Sequence, residues 1–138
     1  MTANSQKPQS EIQIQAAAFQ AAWNDFPETR GLIFHVPNGG ARNKIEGMQL
    51  KASGVIAGVP DIIFLWQGKA YGFEFKTLTG HLSPAQEKIY STWKSNGIPV
   101  YVIRDAEAFI AHVARITGLT PRYERSSSSA VTAGGAFF

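Results

Sequence analysis

Three charged side chains stand out against apolar surroundings: Asp61, Glu74 and Lys76. Val59-Pro-Asp-Ile-Ile-Phe-Leu-Trp66 and Ala70 to Lys76 carry them, separated by Gln67-Gly68-Lys69. Two apolar runs flanking a short glycine-bearing turn predict a β-hairpin. Glu74 and Lys76 are two residues apart, so they share one face of the strand. A turn centred between Gln67 and Gly68 sets Asp61 opposite Glu74. Directly opposed residues in an antiparallel pair hold their Cβ atoms about 4.5–5.5 Å apart. Two carboxylates that close repel each other unless something neutralises them. A hard divalent cation such as Mg²⁺ does so, taking oxygens from one or two carboxylates while keeping waters. Lys76 would project beside it. The plainer alternative is a half-exposed sheet face bearing a Glu–Lys pair and a turn-forming Pro60-Asp61. A turn centred on Gly68 would shift the pairing by one residue and need a bulge.

The composition narrows the chemistry. The chain has 138 residues and no cysteine. That excludes a disulfide scaffold, a thiolate nucleophile and sulfur-ligated zinc. The length suits one domain able to bury a core. His35, His81 and His112 share no ligand spacing and read as isolated hydrogen-bonding residues. The net charge is only +3. Residues 30–51 carry that whole balance, with Arg30, Arg42, Lys44 and Lys51 against Glu46 alone. A backbone of phosphates would be met by such a stretch, as would plain solvent. Residues 1–10 are polar, unlike a signal peptide, and no apolar run approaches the roughly 20 residues of a membrane helix. A soluble, cytoplasmic chain with no membrane partner is expected.

The elements that must position these residues can be read in order. Ser10-x-x-Gln13 forms a capping box and starts a helix with Glu11 in its first turn, where the helix dipole favours an acid. Its apolar face is read as Ile12, Ala16, Phe19 and Trp23. Residues 31–36 form a short strand, closed by Pro37-Asn38-Gly39-Gly40. A short helix is expected over Lys44–Ala52, before the hairpin. Ser83 caps a helix with Pro84 first and Gln86 third, with Ala85, Ile89 and Trp93 as its stripe. Residues 98–103 form a strand apolar enough to be central. Asp105 caps a last helix to about Thr117, with Phe109, Val113 and Ile116 inward. The main order is helix, strand, strand, strand, helix, strand, helix: a mixed α/β sheet flanked by helices. Residues 1–9 read as a flexible lead, 10–120 as the domain and 121–138 as a flexible Ser/Ala/Gly-rich tail.

Gly58-Val-Pro-Asp61, twelve residues, then Glu74-Phe-Lys76 resembles the PD-(D/E)XK nuclease signature. The wider set is more specific. His35-Val-Pro-Asn-Gly-Gly40, Lys51 with Gly54, Gly58-Val-Pro-Asp61, Glu74-Phe-Lys76 and Leu82-Ser-Pro-Ala-Gln86 occur in the order of the virus-type replication–repair nuclease (VRR-NUC) family. Glu11 fits that family's N-terminal acid. The resemblance implies a restriction-endonuclease-like fold and a metal-dependent endonuclease cutting DNA, selective for branched or flap structures, in replication, repair or recombination.

It further implies that Asp61, Glu74 and the backbone carbonyl of Phe75 hold Mg²⁺ or Mn²⁺, with Glu11 as an outer ligand or water holder. Lys76 would position the attacking water, and Gln86 would orient phosphate or water. Both Glu11 and Gln86 have a complete alternative as helix-start residues. Asn38, Arg42, Lys44 and Lys51 become the expected DNA contacts. DNA, branched or duplex, is the expected partner, with a homodimer by family analogy. A phage or prophage source fits the compact form. The rival readings are a non-cutting DNA-binding module with the same fold and an RNA-directed nuclease.

Overall fold

A computed structural model describes residues 7–37 and 43–125. Asn38 and Arg42, two expected DNA contacts, lie outside the described residues, as does the Ser/Ala/Gly-rich stretch 126–138. The described chain falls into two compact units. One comprises residues 29–74 and 81–102; the other comprises 7–28, 75–80 and 103–125.

The first of these units carries most of a four-stranded sheet: β1 (Ile33–His35), β2 (Ile62–Trp66), β3 (Lys69–Phe75) and β4 (Val100–Ile103), in the spatial order β1-β2-β3-β4. β1 pairs antiparallel with β2, and β2 antiparallel with β3. Gly72 donates its backbone N–H to Pro99, and Lys76 donates to Ile103. That constant offset makes β4 parallel to β3, the connection being α3 (Pro84–Ser95). The mixed α/β sheet is therefore the one anticipated, but β4 is an edge strand rather than a central one. Its apolar run misled because Val102 faces out, 37% exposed. Ile33, Ile62, Phe64, Phe73 and Pro60 form this unit's core. Phe64 lies 6.0 Å from Tyr71 and 5.9 Å from Trp66, ring to ring, and Phe73 lies 5.6 Å from Tyr101. α2 (Lys44–Ala52) stands where the sequence placed it, capped by Asn43, and buries no residue.

The other unit is built on α1 (Glu11–Asp25) and α4 (Ala106–Thr117), which pack together. Both expected caps form: Ser10 and Gln13 complete their box, and Asp105 accepts from the Ala108 N–H. The buried face of α1 differs from the one read in sequence. Ile14, Ala18 and Ala22 are buried with Gln15, whereas Ile12 is 63% exposed. Alanines four residues apart let two helices approach closely, so small residues set this face and not the large ones. Phe19 and Trp23 are half-buried and stack on each other, with ring centres 6.1 Å apart.

Order also runs past residue 120. Pro121 is buried, Arg122–Glu124 form a 3₁₀ turn, and Arg125 Nη2 donates to both carboxylate oxygens of Glu28 at 3.1 and 2.8 Å. The described structure extends to Arg125. Phe75, the last residue of β3, packs on Phe109 with ring centres 5.7 Å apart, and both are fully buried. Phe109→Ala should cost about 3–5 kcal/mol by urea unfolding. A loss below about 1 kcal/mol would mean that this aromatic pair does not anchor α4.

Candidate active site

The hairpin turn decides the register. Gln67 and Gly68 have φ of 48° and 79°, the two positive values of a tight two-residue turn whose twist matches the strands. Ile62 then faces Phe73, and Trp66 faces Lys69. The same register, extended one residue beyond the strand, sets Asp61 against Glu74. Glu74 lies between Phe73 and Phe75 on β3, and all three are buried, Glu74 to 3% exposure.

Asp61 closes a loop that is fixed from both sides. Its backbone carbonyl accepts the Val36 N–H at 2.8 Å and lies 2.7 Å from His35 Nδ1. A carbonyl only accepts, so that contact selects the Nδ1–H form of the imidazole. On the other side, Gly58 lies against the start of α3. With φ at +91°, a Cβ there would fall 2.7 Å from the backbone carbon and oxygen of Ala85 and 2.9 Å from the Gln86 nitrogen. Only glycine lets this loop approach the helix so closely.

α3 in turn holds Glu74. Ser83 accepts from the Gln86 N–H at 3.2 Å, and Gln86 Oε1 accepts from the Ser83 N–H at 2.9 Å. The other end of the same amide, Nε2, donates to Glu74 Oε1 at 2.8 Å. The Gln86 amide therefore has two partners: its oxygen caps the helix and its nitrogen donates to Glu74, not to the phosphate or water expected from the sequence. One turn on, Tyr90 Oη donates to Glu74 Oε2 at 2.6 Å. Burial pushes the Tyr90 phenol far above the usual tyrosine range, reinforced by its hydrogen bond to Glu74 and by the negative charges of Glu74 and Asp61. The phenol thus stays protonated and remains a donor.

Sequence reading missed Tyr90. The available signal was its spacing: four residues after Gln86, it lies on the same helical face.

The remaining candidates are placed as follows. Lys76 is buried and follows Phe75, the last residue of β3. Glu11 is exposed at the first position of α1, its Oε1 beside Gly80 in the same unit. Lys44 and Lys51 are exposed at the two ends of α2. Among the described residues no three His, Asp or Glu side chains gather as a metal-binding group. The hairpin register sets Asp61 against Glu74, and these two acids could together offer carboxylate oxygens to a cation. A buried, ionisable acid beside a second acid, each Glu74 oxygen given one neutral donor, fits a hard oxygen-seeking ion that keeps waters of its own.

No described helix is long and apolar enough to cross a membrane. No curated protein matched the sequence. A solved structure described as a VRR_NUC domain protein superposes with a TM-score of 0.60 at 19% identity, covering 78% of this chain and 87% of that one. The likeness supports the same mixed fold. The VRR-NUC domain model matches residues 7–106, a span from the lead into α1 to the start of α4 and including every described candidate above. The chain belongs to the VRR-NUC family.

Proposed function

We propose that this protein is a Mg²⁺- or Mn²⁺-dependent nuclease that hydrolyses phosphodiester bonds in DNA. The observation that carries the proposal is Glu74, buried, opposed to Asp61 and held through both oxygens by α3. A buried acid is costly unless paired or put to use. Asp61 and Glu74 would hold the ion, with the Phe75 carbonyl as a further oxygen donor. When bound, such an ion lowers the pKa of a water and offsets charge on the phosphate in the transition state. Gln86 and Tyr90 fix the Glu74 carboxylate. Lys76, two residues after Glu74 in the sequence, would add positive charge toward the scissile phosphate and position the attacking water.

The DNA would lie along α2. Lys44 and Lys51 supply charge without reading sequence, and no described element presents a base-reading motif. We therefore infer selection by DNA structure, with branched or flap substrates preferred over linear duplex. Replacing both lysines with alanine should flatten the dependence of log Kd on log salt by about 1.8, since each phosphate contact contributes about 0.9. Fluorescence anisotropy on a labelled branched duplex reads this slope. An unchanged slope would remove α2 from the interface.

The main test is cleavage of matched branched, flap, linear and RNA substrates with Mg²⁺, Mn²⁺ or EDTA. Metal-dependent cutting of DNA that is lost in Asp61→Ala and in Lys76→Ala supports the proposal. Robust cutting by both variants would refute the site. Binding without cutting under either metal would favour a non-catalytic DNA-binding module, and preferential cutting of RNA would overturn the substrate class.

A further inference from the structure

We infer that Ile45 and Met48 form an apolar wedge on α2 that seats against an unstacked base, so that this helix selects branched and flap DNA over linear duplex. The inference rests on the nuclease reading above and deepens it by naming the residues that sense DNA structure.

α2 is a nine-residue helix that buries none of its side chains. Each residue turns the helix by about 100°, which sorts those side chains into two sides. Taking Lys44 as zero, Lys51 lies about 20° one way, and Met48, Ala52 and Ile45 lie about 40°, 80° and 100° the other way. All five are exposed, Ile45 to 68% and Met48 to 64%. Gly47 and Leu50 are half-buried on the inward side, where Leu50 lines an apolar cavity with Val59, Ile63 and Trp93. Glu46, the acid of this helix, stands about 160° from both Lys44 and Met48. The outward arc therefore combines two cations with two large apolar side chains and contains no acid.

Both features together define the partner. Exposed aliphatic side chains alone suit any apolar surface, whereas two lysines on the same arc call for an anionic one. A nucleic acid offers both, phosphates along its strands and apolar faces on its bases. Lys44 and Lys51 are seven residues apart, about 10.5 Å along the helix axis, which spans about three phosphates of one strand at 3.4 Å each. Met48 falls between them. In linear duplex every base face is covered by its neighbour, and an aliphatic wedge enters only by breaking a stack. At a branch point or flap the stack is already interrupted, so insertion is far less costly. The lysines then hold either substrate, and the apolar pair distinguishes them.

The experiment uses the full chain in EDTA, so that no substrate is cut. Affinity for a flap and for a linear duplex of equal length is measured by anisotropy. A fluorescent adenine analogue at the branch point reports unstacking. The parent should bind the flap more tightly and brighten the analogue. Ile45→Ala/Met48→Ala should bind the flap about 10–100-fold more weakly, bind linear duplex as the parent does, and leave the analogue dim. Its dependence of log Kd on log salt should stay parental, because apolar contacts release no counterions. A variant that had merely lost the helix would lose the lysine contacts too and flatten that slope. Met48→Leu keeps the apolar volume and should keep the preference. A folded double variant with the parental preference overturns the inference. So does a parent that is dimeric without DNA and made monomeric by the two substitutions, which would assign this face to a second copy. Should the double alanine variant melt early, Ile45→Gln/Met48→Gln is read to the same outcomes. If the parent binds neither DNA, the nuclease reading and this inference fall together. If the parent cuts flap DNA and the double variant retains its preference, only the inference falls.

Discussion

Glu74→Gln should give a protein that melts no lower than the parent, fails to cut DNA, and binds divalent metal more than about 100-fold more weakly, a loss exceeding that of an outer partner. The stability half of this expectation comes from the local bonds. The amide oxygen of a glutamine can accept from Gln86 Nε2 as Oε1 does now. Its amide nitrogen would meet Tyr90 Oη, which can accept as well as donate. Shape and these two hydrogen bonds survive, while one of two like charges facing each other disappears. Like charges held close in a partly buried setting are destabilising, so their removal raises the melting temperature or leaves it unchanged. Glu74→Ala is the contrasting variant. It leaves the Gln86 amide and the Tyr90 hydroxyl without their acceptor, at about 1–3 kcal/mol for each unsatisfied group. Melting curves, metal titrations and cleavage assays on the two variants separate charge from packing. A Glu74→Gln protein that melts well below the parent would show that the carboxylate is there for the fold. One that still cuts would remove Glu74 from the chemistry.

Why the hairpin was legible and other parts were not has a physical basis. A two-residue turn fixes register by counting, and side-chain alternation then fixes which residues share a face. So Asp61 could be set against Glu74 from spacing alone. Helix caps are equally local: Ser10, Ser83 and Asp105 each bind an N–H three residues on, and each lies where the sequence put it. The α1 face was different, since periodicity offered two stripes. Ile12, Phe19 and Trp23 have the greater hydrophobic area, but the alanine stripe fits against another helix. Which stripe wins depends on the partner's shape, which no local pattern contains. The edge position of β4 has the same origin, because strand order is a long-range property. Tyr90 shows a further limit. A residue that acts through Glu74 leaves no motif of its own, and its role emerges only when α3 is laid against β3.

Gly58→Ala tests whether that arrangement is coupled as a whole. This glycine is the point at which the Asp61 loop touches α3. An added Cβ would meet backbone atoms of Ala85 and Gln86 at 2.7 to 2.9 Å, and backbone cannot swing aside as a side chain can. Either the loop or the first turn of α3 must move. Moving the loop displaces Asp61, and moving the turn displaces Gln86 and with it the hold on Glu74. The variant should therefore lose at least about 2 kcal/mol of stability, from a left-handed backbone and a backbone overlap together. It should also lose metal affinity and cutting. Strain alone is controlled by Gly97→Ala at the other end of the same helix. Gly97 has φ of +80° and nothing within 4 Å of an added Cβ. That variant carries the backbone cost, about 1–2 kcal/mol, without the overlap. Gly97→Ala should lower the melting temperature and leave metal affinity at the parental value, whereas Gly58→Ala should lower both. Equal effects of the two variants on metal affinity would mean that the close approach at Gly58 does not position the carboxylates.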